Sequence, residues 1–252
     1  MRHEHLSIGK RYPVPTLILA IAVSFVFGTA LAQEKAQTNI KPGAAQDSPS
    51  ARAVENIGLA RQLATYGQEQ ESPLALLTAA QIQLENSFTI IKREKEEKAF
   101  EGEQAAGGGT KSAAAAPGLE PSELVAAAER MAGGDQSVLA LCRELRSRMA
   151  AEEGTKGRVG GPVTHKDRVL ARTKDIYKIS FRGGELASVL ITGDGDTDLD
   201  LYVYDENGNL IGSDTDTTDV CLVQWTPIWT GEFRIEIHNL GYVYNAYTLT
   251  TN

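Results

Sequence analysis

Four aspartates stand at alternate positions of one short stretch, and their carboxylates are the side chains best suited to metal chemistry. They are Asp194, Asp196, Asp198 and Asp200. Calcium is a hard ion that takes about six to eight oxygen ligands, and carboxylates at alternating positions of a loop can converge on one ion. The spacing therefore predicts a calcium site, and calcium is the one cofactor that the sequence suggests.

A second interpretation of the same stretch needs no metal. Aspartate favours loops because its side chain hydrogen-bonds nearby backbone amides. The stretch also lacks the later Glu and the sixth-position Gly of an EF-hand. It then reads as a solvated acidic turn. Under the calcium interpretation, a later acidic loop could fold over this stretch. Its residues Asp214, Asp216 and Asp219 could then complete the set of calcium ligands.

Five aromatic side chains form a candidate site for binding a surface. They are Tyr202, Tyr204, Trp229, Tyr242 and Tyr244. The first two alternate with Leu and Val, so we expect them to face away from the core, and the other three lie in or near predicted loops. Exposed aromatic rings stack on sugars or pack against a partner chain. The alternative is that these rings cover sheet edges and fill the rims of a small core.

Catalytic residues are scarce, and the sequence predicts none. Of four histidines, only His165 and His238 lie beyond the N-terminal leader. Neither stands in a nucleophile elbow or a metalloprotease helix. The net charge is −8, with no stripe of Lys and Arg interleaved with aromatics. That charge argues against nucleic acid as a partner.

Strand patterns must position both candidate sites. Residues 199–204 alternate between apolar and polar, which is typical of a half-buried antiparallel strand. Asn207-Gly208 follows as a tight turn. Similar strands with turn residues between them continue over 164–252, so we predict an antiparallel β-sandwich of jelly-roll type.

Helical patterns precede the strands. Residues 51–153 carry apolar stripes at helical spacing, with a start signal at Ser72-Pro73 and a break at Gly133-Gly134. We predict a small α-helical bundle of two hairpins, with a tetratricopeptide-like pair of repeats as the alternative. The charged residues 92–98 suggest the solvated surface of a helix. The fold class is therefore an α + β multidomain chain, with the bundle followed by the sandwich.

The N-terminal residues 1–32 read as a signal peptide: a basic start, an apolar run and Ala30-Leu31-Ala32. The alternative is an uncleaved membrane anchor, but the apolar run is short for a bilayer. We predict a disordered leader over 33–50, a linker over 154–163 and no transmembrane anchor after cleavage. Cys142 and Cys221 are expected to be separate buried thiols.

Three pieces of the second half resemble the bacterial pre-peptidase C-terminal family. They are the DLDLYVYD stretch at 198–205 with its Asn207-Gly208 turn, Gly231–Ile237 as a penultimate strand, and Asn245–Leu249 as a terminal strand. The resemblance covers 164–252 and implies a small β-sandwich of secreted bacterial proteins. It also implies a non-catalytic accessory module that aids export or binds protein or polysaccharide, sometimes with calcium.

We therefore expect an exported protein, periplasmic or extracellular, that performs no reaction. Its sandwich would bind an envelope or extracellular protein or polysaccharide. The alternative is a structural protein, or one that assists export or folding, whose sandwich serves only that purpose. An uncharacterised secreted hydrolase is the third hypothesis.

Overall fold

The computed structural model describes residues 37–43, 48–101, 120–152 and 161–252. The predicted signal peptide, 1–32, lies outside the described residues, as do 33–36 and 44–47 of the predicted leader and 154–160 of the predicted linker. The described part of the leader is not loose: Asn39 is fully buried, its N–H donates to Asp205, and its Oδ1 accepts the Trp229 N–H. No helix in the described part of the chain is both long enough and apolar enough to span a bilayer.

Of the four helices in the described residues, three begin at a side chain that caps the first turn, while the third helix begins after Glu120 with Pro121 and has no side-chain cap. Ser48 and Ser72 each accept a backbone N–H of the first turn, and Asp135 accepts those of Ser137 and Val138. The predicted start at Ser72-Pro73 is confirmed. The helices are α1 (Pro49–Glu69), α2 (Pro73–Glu85), α3 (Pro121–Met131) and α4 (Gln136–Glu152).

The four helices share one apolar cluster that is rich in alanine. Small side chains let the helix backbones approach closely, and Leu76 packs directly against Gly67. The fully or nearly fully buried members of this cluster include Ala60, Ala64, Leu76, Ala80, Leu124, Val125, Ala128 and Cys142.

Ten strands in the described part of the chain form two five-stranded sheets. Sheet 1 has the order β1-β3-β10-β5-β8, and sheet 2 has the order β2-β4-β9-β6-β7. Every pairing is antiparallel except β1 with β3. The strands are β1 (Thr89–Ile90), β2 (Glu96–Ala99), β3 (Val163–Val169), β4 (Thr173–Phe181), β5 (Ala187–Thr192), β6 (Leu199–Tyr204), β7 (Leu210–Asp214), β8 (Val220–Trp225), β9 (Gly231–Asn239) and β10 (Asn245–Thr251).

The inner faces of the two sheets form the main core, as the alternating patterns predict. Cys221 belongs to this core and Cys142 to the helical cluster; both thiols are free and buried, which confirms that prediction. The core includes Tyr177, Phe181, Val189, Ile191, Leu199, Leu201, Val203, Trp225, Phe233, Ile235, Ile237 and Leu249.

The charged segment 92–98 is not a helix surface, and that prediction is wrong. Thr89–Ile90 adds to sheet 1 beside β3, and Glu96–Ala99 adds to sheet 2 beside β4. Residues 91–95, which we call the strap, thus cross from one sheet to the other. Exposed edge strands carry Lys and Glu as readily as exposed helices do, so the charge pattern could not distinguish them.

Helix α1 covers the outer face of sheet 1. Val54 and Ile57 pack on Leu190 of β5, with Leu222 of β8 beside them. Gly58 stands over the same leucine: a Cβ there would lie 3.1 Å from a Leu190 methyl carbon. The helices and the sandwich belong to one compact unit, Ala36–Asn252, while the predicted domain boundaries stay predictions.

The strap is tied to the core by a buried ion pair. Asp175 of β4 is fully buried, and its Oδ2 accepts hydrogen bonds from Lys95 Nζ at 2.8 Å and Tyr247 Oη at 2.7 Å. Burial raises the pKa of Asp175, while the Lys95 ammonium and the Tyr247 hydroxyl act to lower it. Lys95 also lies 3.2 Å from Asp167. The ion pair thus keeps one core carboxylate compensated.

Lys95→Met should lower the free energy of unfolding by about 3–5 kcal/mol, because it leaves the Asp175 carboxylate buried without its cation. Urea denaturation measures the loss. Lys98→Met, which removes an exposed pair with Glu96, should cost less than about 1 kcal/mol. The double variant Lys95→Met/Asp175→Asn should recover part of the loss; equal effects of Lys95→Met and Lys98→Met would contradict the account.

Candidate functional site

The outer face of sheet 2 is left uncovered by the described helices and carries a group of partly exposed aromatic and charged side chains around one buried carboxylate. We call Tyr202, Tyr204, Arg234, Glu236 and His238 together the sheet-2 face. They lie on β6 and β9, whose intervening residues are buried in the core. Tyr202 and Tyr204 do point away from that core, as predicted.

Strand register places each tyrosine beside a charged partner. Tyr202 is opposite Glu236, and Tyr204 is opposite Arg234. The Arg234 guanidinium carbon lies 4.3 Å from the centre of the Tyr204 ring, a cation–π distance. The ring centres of Tyr202 and His238 are 4.7 Å apart. Both tyrosine rings are therefore held in fixed orientations while remaining partly exposed.

Glu236 is the charged centre of the sheet-2 face. Its carboxylate lies 2.8 Å from Lys174 Nζ, 2.9 Å from Arg234 Nε and 3.0 Å from His238 Nε2. The hydrogen bond from His238, with the nearby Lys174 and Arg234, lowers the pKa of Glu236 to about 2. The carboxylate thus contacts side chains at three positions of β4 and β9, and two of these, Arg234 and His238, contact the tyrosine rings.

The aromatic surface continues beyond the sheet. Phe100 lies 5.4 Å from the His238 ring. The Arg172 guanidinium lies 5.6 Å from the Phe100 ring centre and 5.8 Å from that of Tyr242. Arg172 has a φ of 58°, which a non-glycine residue rarely adopts. Tyr242 is 82% exposed, so it forms the outermost ring of the series.

Two of the five predicted aromatics lie elsewhere. Trp229 takes part in a separate cluster, in which its backbone N–H donates to Asn39 Oδ1 at 3.1 Å and its indole N–H donates to Glu206. The Tyr244 ring lies 5.6 Å from the Arg168 guanidinium, on the sheet 1 side of the sandwich. The structure thus brings together Tyr202, Tyr204 and Tyr242 and separates the other two from them.

Carboxylates of the loop before β6 and of the loop before β8 accept hydrogen bonds from backbone amides. Asp194 Oδ2 accepts the Ala246 N–H at 2.8 Å, and Asp219 accepts the Gly195 N–H. Asp200 is buried and accepts the Tyr202 hydroxyl at 3.1 Å. Asp196 lies in the exposed part of the loop, where its own N–H is 3.4 Å from Asp194 Oδ1.

Asp198 differs from its neighbours. Its Oδ1 is buried and has no hydrogen-bond partner in the described residues. Burial, together with the negative charges of Asp200, Asp216 and Asp219, raises the pKa of Asp198. A cation would relieve this repulsion, yet no three carboxylate, histidine or cysteine side chains of the described ranges converge into a group that could hold a metal. The donors as placed do not fit a metal ion, and calcium binding stays a prediction.

Sequence reasoning missed five members of the aromatic surface: Arg172, Arg234, Glu236, His238 and Phe100. The signal for three of them was present, because Arg234, Glu236 and His238 alternate with apolar residues and so must share the outer face of β9. Phe100 gave no signal, because its place depends on the pairing of β2 with β4.

No family model matches the chain, and no curated protein matches it. One similar solved structure is the crystal structure of the pre-peptidase C-terminal domain of collagenase from Bacillus anthracis. It is 11% identical, covers 35% of this chain and 87% of that chain, and has a TM-score of 0.31. The likeness is a weak structural relationship only.

Asp198→Asn should raise the free energy of unfolding at pH 7. The folded-state pKa of this carboxyl is raised, so its ionised form opposes folding and stability falls as the pH rises through that pKa. Asn removes the charge and keeps the shape. Urea denaturation at pH 7 and pH 3 measures the change, which should vanish at pH 3; a loss of stability at pH 7 would contradict the account.

Glu236→Gln should weaken the acid sensitivity of folding. The pKa of Glu236 is lowered from 4.5 to about 2, so its stabilisation is complete above pH 4.5 and is lost as the pH falls towards 2. Thermal unfolding across that range should show a smaller decline in the variant. Glu232→Gln, at an exposed position of the same strand, should decline as the wild type does, and identical curves for all three proteins would refute the assignment.

Proposed function

We propose that this is an exported, non-catalytic protein that binds the surface of an envelope or extracellular protein or polysaccharide through its sheet-2 face. The observation that carries the proposal is the series of ordered rings formed by the partly exposed Tyr202 and Tyr204 and the exposed Tyr242, joined by Arg234, His238 and Arg172. The signal-peptide pattern supports export. We also propose that the sandwich has jelly-roll topology, that the four helices form a bundle, and that residues 164–252 are related to the pre-peptidase C-terminal family.

Preorganisation favours a binding role for this face. Tyrosine and arginine are the residue types that contribute most to binding energy at interfaces. Their rings and guanidinium groups are held by one another and by Glu236 before any partner arrives. Little side-chain freedom is therefore lost on binding, which raises affinity for a given area of contact.

Charge also limits the partner. Lys174, Arg234 and His238 surround the Glu236 carboxylate. Asp200, the last aspartate of the acidic run, accepts a hydrogen bond from the Tyr202 hydroxyl. The face is thus of mixed charge on a chain of net charge −8. Such a surface suits a polar protein or a hydroxyl-rich polysaccharide, on which tyrosine rings stack.

Calcium is part of the proposal only through the acidic loop. The carboxylates of the described residues as placed form no metal site, so calcium binds only if the loop rearranges. In that case calcium should raise the melting temperature of the wild-type protein and should not raise that of Asp198→Asn. Magnesium serves as the control ion, since it accepts the loop geometry less readily than calcium. An equal rise in both proteins would remove Asp198 from the site, and no rise in the wild type would remove calcium.

Tyr202→Ala and Arg234→Ala should each weaken binding of the partner by about tenfold or more, because each removes an anchoring side chain. The measurement is co-sedimentation of purified protein with insoluble peptidoglycan, chitin and cellulose, together with chemical cross-linking to a fraction of envelope proteins. Tyr66→Ala, at an exposed tyrosine of α1, is the matched control and should bind as the wild type does.

Three results decide the outcome. Retention that is lost in both variants and kept in the control supports the proposal. Retention unchanged in Tyr202→Ala and Arg234→Ala would place binding elsewhere on the molecule. Absence of retention on every polysaccharide and every cross-linked protein would remove the binding function itself.

A further inference from the structure

Strand β4 keeps an unpaired stretch on the edge of sheet 2. It runs from Thr173 to Phe181, but β2 pairs only with its first part, Thr173–Ile176. On the other side, β9 pairs with β4 from Lys174 to Phe181. We call residues 177–181 the open half of β4. No described strand pairs with the open half on the β2 side.

The hydrogen-bond pattern shows which backbone groups of β4 face the open side. In an antiparallel pair, residues directly opposite each other alternate between hydrogen-bonded and non-hydrogen-bonded pairs. The Phe100 N–H donates to the Arg172 carbonyl, so every second residue from Arg172 onwards directs its N–H and C=O towards the β2 side. Beyond the end of β2 these residues are Lys178 and Ser180. Both are exposed, and their N–H and C=O groups have no partner in the described part of the chain.

Two cavities lie end to end along the open half. One, of about 510 Å³, lies between the strap and residues Ile176, Tyr177 and Lys178. The other, of about 290 Å³, lies against Ser180–Arg182, with Ser50 and Asn252 in its walls. The open half therefore borders a groove rather than a flat surface, and an extended chain lying in this groove would run beside β4.

The pleat of β4 decides which side chains an added strand would need. Successive side chains of a strand point to opposite faces of the sheet. Ile179 belongs to the core, while Lys178 and Ser180 point outwards on the face that carries Arg234. A strand paired with the open half would thus place one side chain beside Ile179, where an aliphatic group suits the core, and the next side chain beside Lys178.

The charges next to Lys178 favour an acidic side chain opposite it. On its paired side Lys178 is opposite Arg234, which is a like charge. The Glu232 carboxylate lies 3.8 Å from Lys178, but both side chains are exposed, so this pair compensates the charge only weakly. Near the end of the strand, the exposed Arg182 and Glu185 lie 3.7 Å apart and compensate each other.

The larger cavity also carries an excess of cations. Lys95 is bound to Asp175, and Glu96 is paired with Lys98 at 3.0 Å. Three cations and one carboxylate then remain among the charged lining residues. The charged residues that line this cavity are Lys92, Arg93, Lys95, Lys178, Glu94 and Glu96.

We propose that the open half of β4 binds an extended segment of a partner protein by strand addition, with an acidic side chain opposite Lys178 and an aliphatic one beside Ile179. Main-chain hydrogen bonds supply the affinity in this mode of recognition, and alternate side chains supply the specificity. A second copy that paired through its own open half would offer Lys178 no carboxylate, since residues 177–181 contain none. The tyrosines of the sheet-2 face lie on β6 and beyond, so the inference does not rest on the proposed function.

A capped peptide of sequence Val-Thr-Val-Glu-Val is the probe. In the antiparallel register that places its Glu opposite Lys178, its Thr and Glu amides face β4 and its central Val lies beside Ile179. Amide NMR of the isotope-labelled full chain measures the binding. We expect saturable shifts of the Lys178 and Ser180 amide signals, with slower hydrogen exchange at both. The absence of a saturable shift at these two amides would overturn the proposal.

Backbone methylation of the peptide distinguishes strand addition from other modes of binding. N-methylation of its Glu or its Thr removes an N–H that faces β4 and should weaken binding about fivefold or more, because a hydrogen bond is lost. N-methylation of the central Val, whose N–H faces away from β4, should leave the affinity unchanged. Lys in place of Glu should weaken binding about fivefold. Equal effects of the three methylations would refute the alternation on which the proposal rests.

Variants of the protein place the peptide on β4. Ser180→Pro removes the Ser180 N–H and should weaken binding about fivefold or more, whereas the matched control Ser180→Ala keeps that N–H and should bind as the wild type does. Lys178→Glu should weaken binding of the Glu peptide and strengthen binding of the Lys peptide. This exchange of preference keeps the test decisive if Ser180→Pro fails to fold.

Two results would refute the site. Peptide binding unchanged in both Ser180→Pro and Lys178→Glu would place it elsewhere on the molecule. A concentration-dependent dimer in sedimentation equilibrium that Ser180→Pro abolishes would assign the edge to a second copy instead of a partner protein. Tyr202→Ala should bind the peptide as the wild type does, so this titration and the retention assay of the sheet-2 face can fail separately.

Discussion

The fold depends on how the open edge of the sandwich is closed. Strands β1 and β2 come from the segment directly after α2, yet each completes a different sheet. Between them the strap carries Lys95 to a carboxylate that is fully buried. Closing the edge with backbone pairing protects strands that would otherwise expose unpaired N–H and C=O groups, and the ion pair compensates a charge that the core could not hold alone.

The same connection gives the two outer faces of the sandwich different roles. Because α2 leads directly into β1, the helices lie against sheet 1, where α1 buries Leu190 and its neighbours. Sheet 2 receives only a short edge strand from the upstream segment. Its outer face therefore keeps partly exposed rings, and among the described residues the ion pairs around Glu236 hold the side chains that contact these rings.

Local signals in the sequence predicted the elements that depend on local physics. The alternation of Leu199, Leu201 and Val203 predicted both the strand and the outward direction of the tyrosines, and Ser72-Pro73 predicted a helix start. The strap could not be predicted, because a run of Lys and Glu suits any exposed element and only the distant strands β3 and β4 decide its form. The burial of Arg61 could not be predicted either, because the residues around it, such as Gly193, are far away in the sequence.

For the candidate sites the limit was the same. Alternation along β9 carried enough information to place Arg234, Glu236 and His238 on one face, but not to bring Phe100 and Arg172 beside them. The sequence showed that Asp194, Asp196, Asp198 and Asp200 form a run of closely spaced carboxylates. How those carboxylates divide between backbone amides and an unpaired oxygen on Asp198 depends on loop geometry that spacing alone does not determine.

The order of pairing along the chain has a kinetic consequence. Thr89 pairs with Val163, and β3 takes its other partner from β10, the last strand. A chain that emerges from the ribosome in sequence order thus holds β1 and β2 without partners until α3, α4, β3 and β4 have been made. Pairings between distant segments form slowly, because the loop between them must first be closed. Closure of these edges therefore waits for strands that are made after the segment which closes them, so the folding of β1 and β2 depends on the sandwich and not on the helices beside them in sequence.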